Sequence, residues 1–163
     1  MDKILLISTG GTFNKYYSEQ SGKLEIDTEA KALQEILYKW RCTFEIKTII
    51  DKDSLDINDT DRQEILETIL DSDCKKIIVI HGTDTMDKSA KFIAGSNLSK
   101  QVVFTGAMIP YSIDSIEATA NLASAFGYIQ GIDKNGVYIS MNGIVGSHNN
   151  VFKNRDAGRF ELL

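Results

Sequence analysis

Proline is nearly absent: Pro110 stands alone in 163 residues. Such a chain holds no polyproline recognition segment and no proline-rich linker. Cysteine is almost as scarce, and Cys42 and Cys74 are too far apart for a Cys-x-x-Cys pair. That excludes a disulfide-stapled scaffold and a cysteine-based zinc ribbon, and both thiols are expected to be reduced and structural. His81 and His148 are the only histidines. No His, Asp and Glu set has recognisable ligand spacing, so no metal and no cofactor is expected. No apolar stretch approaches the roughly 18 residues of a membrane span. The N-terminus, MDKILLIST, lacks the charged start, long apolar core and small-residue cleavage site of a secretory signal. The expected compartment is therefore cytoplasmic, with no membrane partner. Basic charge is also in deficit: 18 Lys and Arg against 23 Asp and Glu give −5, the wrong sign for a nucleic-acid footprint.

What the chain does have is ordinary globular substance, with 42% hydrophobic and 25% charged residues, enough for one domain over 1–163 with its own core. Five apolar, β-branched runs recur: ILLIS (4–8), FEIKTII (44–50), KIIVI (76–80), QVVFT (101–105) and VYISM (137–141). Helical periodicity lies between them. Residues 28–40 gather Ala32, Leu33, Ile36, Leu37 and Trp40 on one face, and 60–70 gather Ile65, Leu66, Ile69 and Leu70. Asp59 or Thr60 is the expected cap of the second helix, with Gln63 or Glu64 closing a capping box. Segments 86–95 and 115–129 carry Ala- and Ser-rich helical faces, candidates for a homodimer surface. Strands alternating with helices predict an α/β fold: a three-layer, mostly parallel sheet with helices on both faces, flavodoxin-like or Rossmann-like. After the fifth strand there is room for one more short strand or hairpin.

In open parallel sheets, ligands bind beyond the carboxyl ends of the strands. The five runs are followed by TGGT (9–12), DKDSLD (51–56), HGTDT (81–85), TGAMIP (105–110) and MNGIVG (141–146). Each loop alone is turn chemistry, since Gly, Ser, Thr and Asp are good turn formers. Together they describe one polar crevice. The glycines have neither GxGxxG nor GxxxxGK[ST] spacing, which argues against a dinucleotide or P-loop site; a flavodoxin-like phosphate loop is the remaining alternative of that class. Nucleophilic catalysis fits better. A threonine hydroxyl needs a base or a hydrogen-bond chain to draw off its proton. Thr12 has Tyr16 and Tyr17 nearby in sequence, Thr83 adjoins Asp84, and Lys153 is a candidate base that a desolvated pocket would suit.

TGGTF (9–13), DSLD (53–56), HGTDTM (81–86) and TGAMIP (105–110), in this order and separation, resemble the successive signatures of the bacterial-type L-asparaginase family, N-terminal domain only. The likeness covers essentially the whole chain and implies a single-domain form without that family's C-terminal domain. It implies an amidohydrolase that converts L-asparagine to L-aspartate and ammonia through a threonine nucleophile, with activity reduced for want of the second domain. A lone domain leaves the strand-end crevice uncovered, so a homo-oligomer, a dimer, is expected to close it. Position by position, the likeness makes Thr12 the nucleophile, activated by Tyr16 or Tyr17, and Thr83 the second essential threonine. Asp84 would bind the α-ammonium, and Lys153 would pair with Thr83 and Asp84. Ser54, beside Asp53, would bind the α-carboxylate, and backbone groups of Gly11, Gly82 and Ala107 would line the pocket. Thr9 is then structural. The chain departs from the family at Ile109, where an arginine is usual, and at IEATAN (116–121), where the usual stretch has Asp-Gly-Pro before an asparagine. A non-catalytic binding domain for a small amino acid is the alternative, since Ser54 and Asp84 alone would hold a zwitterion.

Overall fold

Short apolar runs with both faces hydrophobic can be buried only in a sheet covered on both sides. The computed structural model, which describes residues 3–41 and 44–163, has that arrangement. In chain order it comprises β1 (Ile4–Gly10), β2 (Lys15–Ser18), β3 (Lys23–Ile26), α1 (Lys31–Lys39), β4 (Glu45–Lys52), α2 (Asp59–Asp71), β5 (Lys76–Ile80) and α3 (Met86–Ala94). Then follow β6 (Gln101–Thr105), α4 (Ser115–Gly131), β7 (Gly136–Met141), β8 (Ile144–Ser147), β9 (Val151–Asn154) and β10 (Arg159–Leu162). The sheet runs β4-β1-β5-β6-β7-β8, with the first five strands parallel and β8 antiparallel to β7. Counting only the parallel strands in sequence order gives 2-1-3-4-5, the flavodoxin-like arrangement.

Alternation along β1 divides the core. Leu5 and Ile7 face α2 and α3 in one cluster, while Ile4 and Leu6 face α1 and α4 in the other. α2 supplies Ile65, Leu66 and Ile69; α4 supplies Ala118, Leu122, Ala125 and Ile129. Each buried leucine or isoleucine among them stabilises by about 1.5–3 kcal/mol, so the two stripes explain the three layers. The exception is Leu70, expected on the buried face of α2 but exposed. Cys74 is a buried free thiol, and Cys42 lies outside the described residues.

Several expectations needed correction. The cap of α2 is Asn58, one residue earlier than expected: its side chain accepts from the N–H groups of Thr60 and Asp61, and Asp61 completes the box by accepting from the Asn58 N–H. The tail forms three short strands rather than one strand or hairpin: β8 extends the sheet, while β9 and β10 pair with each other. The turn from β7 to β8 is Asn142-Gly143, both with positive φ (52° and 79°), the type I′ signature that suits strand twist. The β2–β3 hairpin was not foreseen. The small faces of α3 and α4 are packed on the sheet in part, with Ser89, Ala90, Ala118 and Ala125 fully buried, while Ala120, Ala123 and Gly127 of α4 remain exposed.

The capping assignment is testable. Asn58→Ala should lower stability by about 1 kcal/mol, whereas Thr60→Ala should stay within about 0.5 kcal/mol. Urea titrations of both variants would read the difference, and equal losses would overturn the assignment.

Candidate active site

The order of the sheet reverses between β1 and β5, which makes the carboxyl ends of these strands its switch point. The loops that leave them are in backbone contact. Gly11 has φ 73° and donates its N–H to the Lys52 carbonyl (3.0 Å). A Cβ at Gly11 would lie 2.5 Å from the Gly82 nitrogen, so no other residue fits there. A Cβ at Gly82 would likewise lie 2.5 Å from that of Ser54. The paired glycines of TGGT are thus a strand exit pressed against the HGTDT loop.

Hydroxyls and charges converge on this floor. Thr9 donates to the Ile80 carbonyl (2.8 Å) and is structural. Thr12 starts a 3₁₀ turn, is half-buried, and its hydroxyl makes no hydrogen bond among the described residues. Asn14 fixes that turn by donating to Ser8 Oγ (3.0 Å) and the Gly10 carbonyl (3.2 Å). Ser54 Oγ accepts the Asp84 N–H (3.2 Å), which leaves its own proton to donate, and the Ser54 carbonyl accepts from Thr85 Oγ1 (2.6 Å). Lys153 Nζ donates to both Thr83 Oγ1 (2.9 Å) and Asp84 Oδ1 (2.7 Å). It is delivered by β9, whose Val151 is buried in the core and shares a strand face with Lys153. Arg155, on the turn that follows, donates to the Asp84 carbonyl (2.7 Å).

Other expected members stand differently. Lys15 donates to Asp53 Oδ2, and this bond holds the Asp53 carboxyl below its ordinary range. Asp53 also accepts from the Leu55 N–H, so its carboxylate is already occupied. Tyr16 and Tyr17 are not hydrogen-bonded to Thr12. Tyr16 donates across the hairpin to Glu25 (3.2 Å), which raises its pKa, and the Tyr17 hydroxyl lies near the hairpin glycine, Gly22. Ala107 is fully buried among core residues of α1 and α4, so a ligand reaches its backbone only if a neighbouring loop yields. A cavity of about 290 Å³ between α1, the hairpin and Tyr111 includes Tyr16 but none of Thr12, Ser54, Thr83, Asp84 or Lys153. Among the described residues, no group of three His, Cys, Asp or Glu could hold a metal ion.

Sequence reasoning passed over Lys15, Arg155, Glu117 and Asn121. Only the last two left a signal, a four-residue spacing that puts them on one face at the start of α4. Glu117 accepts from the N–H groups of Met108 and Ile109, and Asn121 donates to the Gly106 carbonyl.

The family described as Asparaginase, N-terminal, matches residues 3–160. A protein named "Probable L-asparaginase periplasmic" from Haemophilus influenzae is 30% identical over 158 residues, covering 87% of this chain and 43% of that protein. The thermostable L-asparaginase from Thermococcus kodakarensis superposes with TM-score 0.83 at 23% identity, over 99% of this chain and 51% of that one. L-asparaginase I from Vibrio cholerae gives TM-score 0.80 at 24% identity, over 99% and 52%. A probable cytoplasmic L-asparaginase from Campylobacter jejuni gives 0.79 at 21%, over 99% and 53%. The chain thus spans about half the length of the relatives it matches.

Beneath the crevice lies His81. Its Nδ1 faces the Gly82 carbonyl at 2.7 Å and so carries the proton, while Nε2 is buried with no partner among the described residues. Burial penalises the imidazolium, and the pKa is pushed down from 6.5 to about 4. As pH falls from 6.5 towards 4, the unfolded chain takes up a proton that the folded chain refuses. This stability, present above pH 6.5, is lost through that window, by ~3 kcal/mol in all. Urea midpoints should fall accordingly, and the His81 ring resonances should not titrate above pH 5. A ring titrating near its ordinary value would refute the buried neutral assignment.

Proposed function

Because the chain belongs to the asparaginase family, through that family's N-terminal domain, we propose that it is an amidohydrolase converting L-asparagine to L-aspartate and ammonia. The observation that carries this reading is Lys153 bridging Thr83 and Asp84, beside a loop that offers an unengaged threonine hydroxyl. The three segments come from distant parts of the chain, and an ordinary solvated lysine would have no reason to gather them.

In this reading Asp84 receives the substrate ammonium and Ser54 donates its hydroxyl proton to the α-carboxylate, fixing both ends of the zwitterion. The side-chain amide then faces Thr12. The Thr12 oxygen bonds to the amide carbon as its hydroxyl proton is drawn off and delivered to the amide nitrogen, the C–N bond breaks, and nitrogen leaves as ammonia. Water cleaves the resulting ester, restoring Thr12 and releasing aspartate. Substrate ammonium at Asp84 takes over the carboxylate and turns Lys153 towards Thr83, completing a proton path. Lys15, paired with Asp53 next to Ser54, adds cationic character where the carboxylate arrives. One observation favours a second assignment: Thr83, not Thr12, touches the lysine, so the nucleophilic role falls to Thr83 if Thr12 proves dispensable.

Assembly and compartment are part of the proposal. The rim of the crevice exposes Ile109, Ile113 and Ile116, an apolar edge that supports a homodimer covering the open site. The free Cys74 thiol suits a reducing cytoplasm. The relatives' names point to both periplasm and cytoplasm, and no helix among the described residues is long and apolar enough to cross a membrane.

Ammonia release from asparagine, with calorimetric binding alongside, tests the reading. Thr12→Ala and Lys153→Met should each lower kcat by at least about 100-fold, or ~2.7 kcal/mol, with asparagine affinity held within about threefold. Binding without ammonia release in the parent chain would instead establish a binding domain. Light scattering checks the dimer, and a monomer at all concentrations would refute it.

A further inference from the structure

Two side chains of α4 join the loops that follow β6 and β7. Both Glu117 oxygens accept from the Met108 N–H (3.0 and 3.1 Å), Oε2 accepts from the Ile109 N–H (2.9 Å), and Oε1 accepts from Asn142 Nδ2 (3.0 Å). One turn on, Asn121 donates to the Gly106 carbonyl (2.9 Å) and accepts the Asn142 N–H (2.8 Å). Another turn on, Ser124 meets Ser140 (3.0 Å). The α4 face therefore carries a polar stripe of period 3.6 aimed at the strand ends. Asn142 has φ 52°, a left-handed conformation that non-glycine residues adopt at a cost. Its backbone N–H and its side-chain amide are both held by this stripe.

The clamp reaches further than the residues it touches. The loop it holds is pressed on the HGTDT segment: a Cβ at Gly106 would lie 2.3 Å from the His81 carbonyl oxygen. The His81 N–H also donates to the Thr105 carbonyl (2.9 Å). His81 and Gly82 lead directly into Thr83, which accepts from Lys153. Packed backbone of this kind transmits displacement, because there is no void to absorb it.

We propose that Glu117 is a positioning residue: it fixes the Gly106–Ile109 segment against His81 and thereby sets where Thr83 stands relative to Lys153. A carboxylate is required for the task. It accepts from two successive N–H groups and a side-chain amide at once through charge-assisted bonds. A glutamine at 117 would turn a donor towards one of those donors. The kinetic part of the proposal rests on the asparaginase reading; the placement of Thr83 does not.

The test uses the full ¹⁵N-labelled chain and the variants Glu117→Gln and Asn142→Gly. The second keeps the left-handed turn and removes one donor to the carboxylate, so it is expected to fold even if the first does not. Without any substrate, Glu117→Gln should move the amide resonances of Gly82, Thr83 and Asp84 as well as those of Met108 and Ile109. Asn142→Gly should move the same set less. With asparagine, Glu117→Gln should lower kcat about tenfold while KM stays within about twofold, and Glu117→Asp should recover part of the loss. Spectral changes confined to 108, 109 and 142, or an unchanged kcat in a chain that releases ammonia, would overturn the proposal. If the parent releases no ammonia, the asparaginase reading fails, and the Gly82–Asp84 resonances alone decide the positioning role.

Discussion

Gly11, Gly82 and Gly106 sit where one additional carbon would overlap a neighbouring backbone or side chain, at 2.5, 2.5 and 2.3 Å. Everything in the crevice depends on that absence of side chain. Four strand ends are brought into direct contact, so the hydroxyls of Thr12, Ser54 and Thr83 are placed by backbone rather than by rotamer choice. Backbone contact is also cooperative: a shift in one loop is a shift in its neighbours. The sheet supplies the rigid floor that makes this placement hold. β1, β5 and β6 are buried in both faces, and their register is continuous from Leu6–Ile78 to Ile78–Val103.

On such a floor, the charged groups do little for stability. The Lys153–Asp84 pair is half in water on its acidic side, with side-chain exposures of 14% and 35%, and ion pairs of this kind contribute about 0–1 kcal/mol. By contrast, one buried leucine or isoleucine on β1 contributes about 1.5–3 kcal/mol. Removing Lys153 should therefore leave a folded chain. The energetic asymmetry explains how α2, α3, α1 and α4 can hold the scaffold while the strand ends remain polar, partly hydrated and free to exchange partners.

Periodicity made the scaffold legible. The five parallel strands were visible as short, nearly continuous apolar runs, and the four helices because apolar residues repeat at 3.6 where one face is buried. The β2–β3 hairpin escaped notice because Tyr16, Tyr17 and Leu24 are exposed, so no buried face imposes alternation. The cap of α2 was displaced by one residue because Asn58, Asp59 and Thr60 are all competent cap residues in a row, and only geometry separates them. In the site, Thr83, Asp84 and Lys153 were found through motif order, and the structure brings them together. The tyrosines were nominated by nearness in sequence, and a strand sends adjacent side chains to opposite faces. Glu117 and Asn121 looked like helix residues because their partners are backbone groups of loops that sequence does not place.

A zwitterion entering this crevice meets charges that are already paired. Lys153 is bound to Asp84 and Lys15 to Asp53, each pair joining segments far apart in sequence. Binding of such a ligand would be an exchange of ion pairs rather than the filling of an empty charge. In the proposed reading the substrate ammonium would replace Lys153 at Asp84, and the carboxylate would enter the field of Lys15 beside Ser54. A neutral zwitterion would leave the net charge of the crevice unchanged, so desolvation would be shared between partners instead of falling on one. The two pairs seen in the free chain are thus the contacts that the proposed substrate would exchange, one for its ammonium and one for its carboxylate.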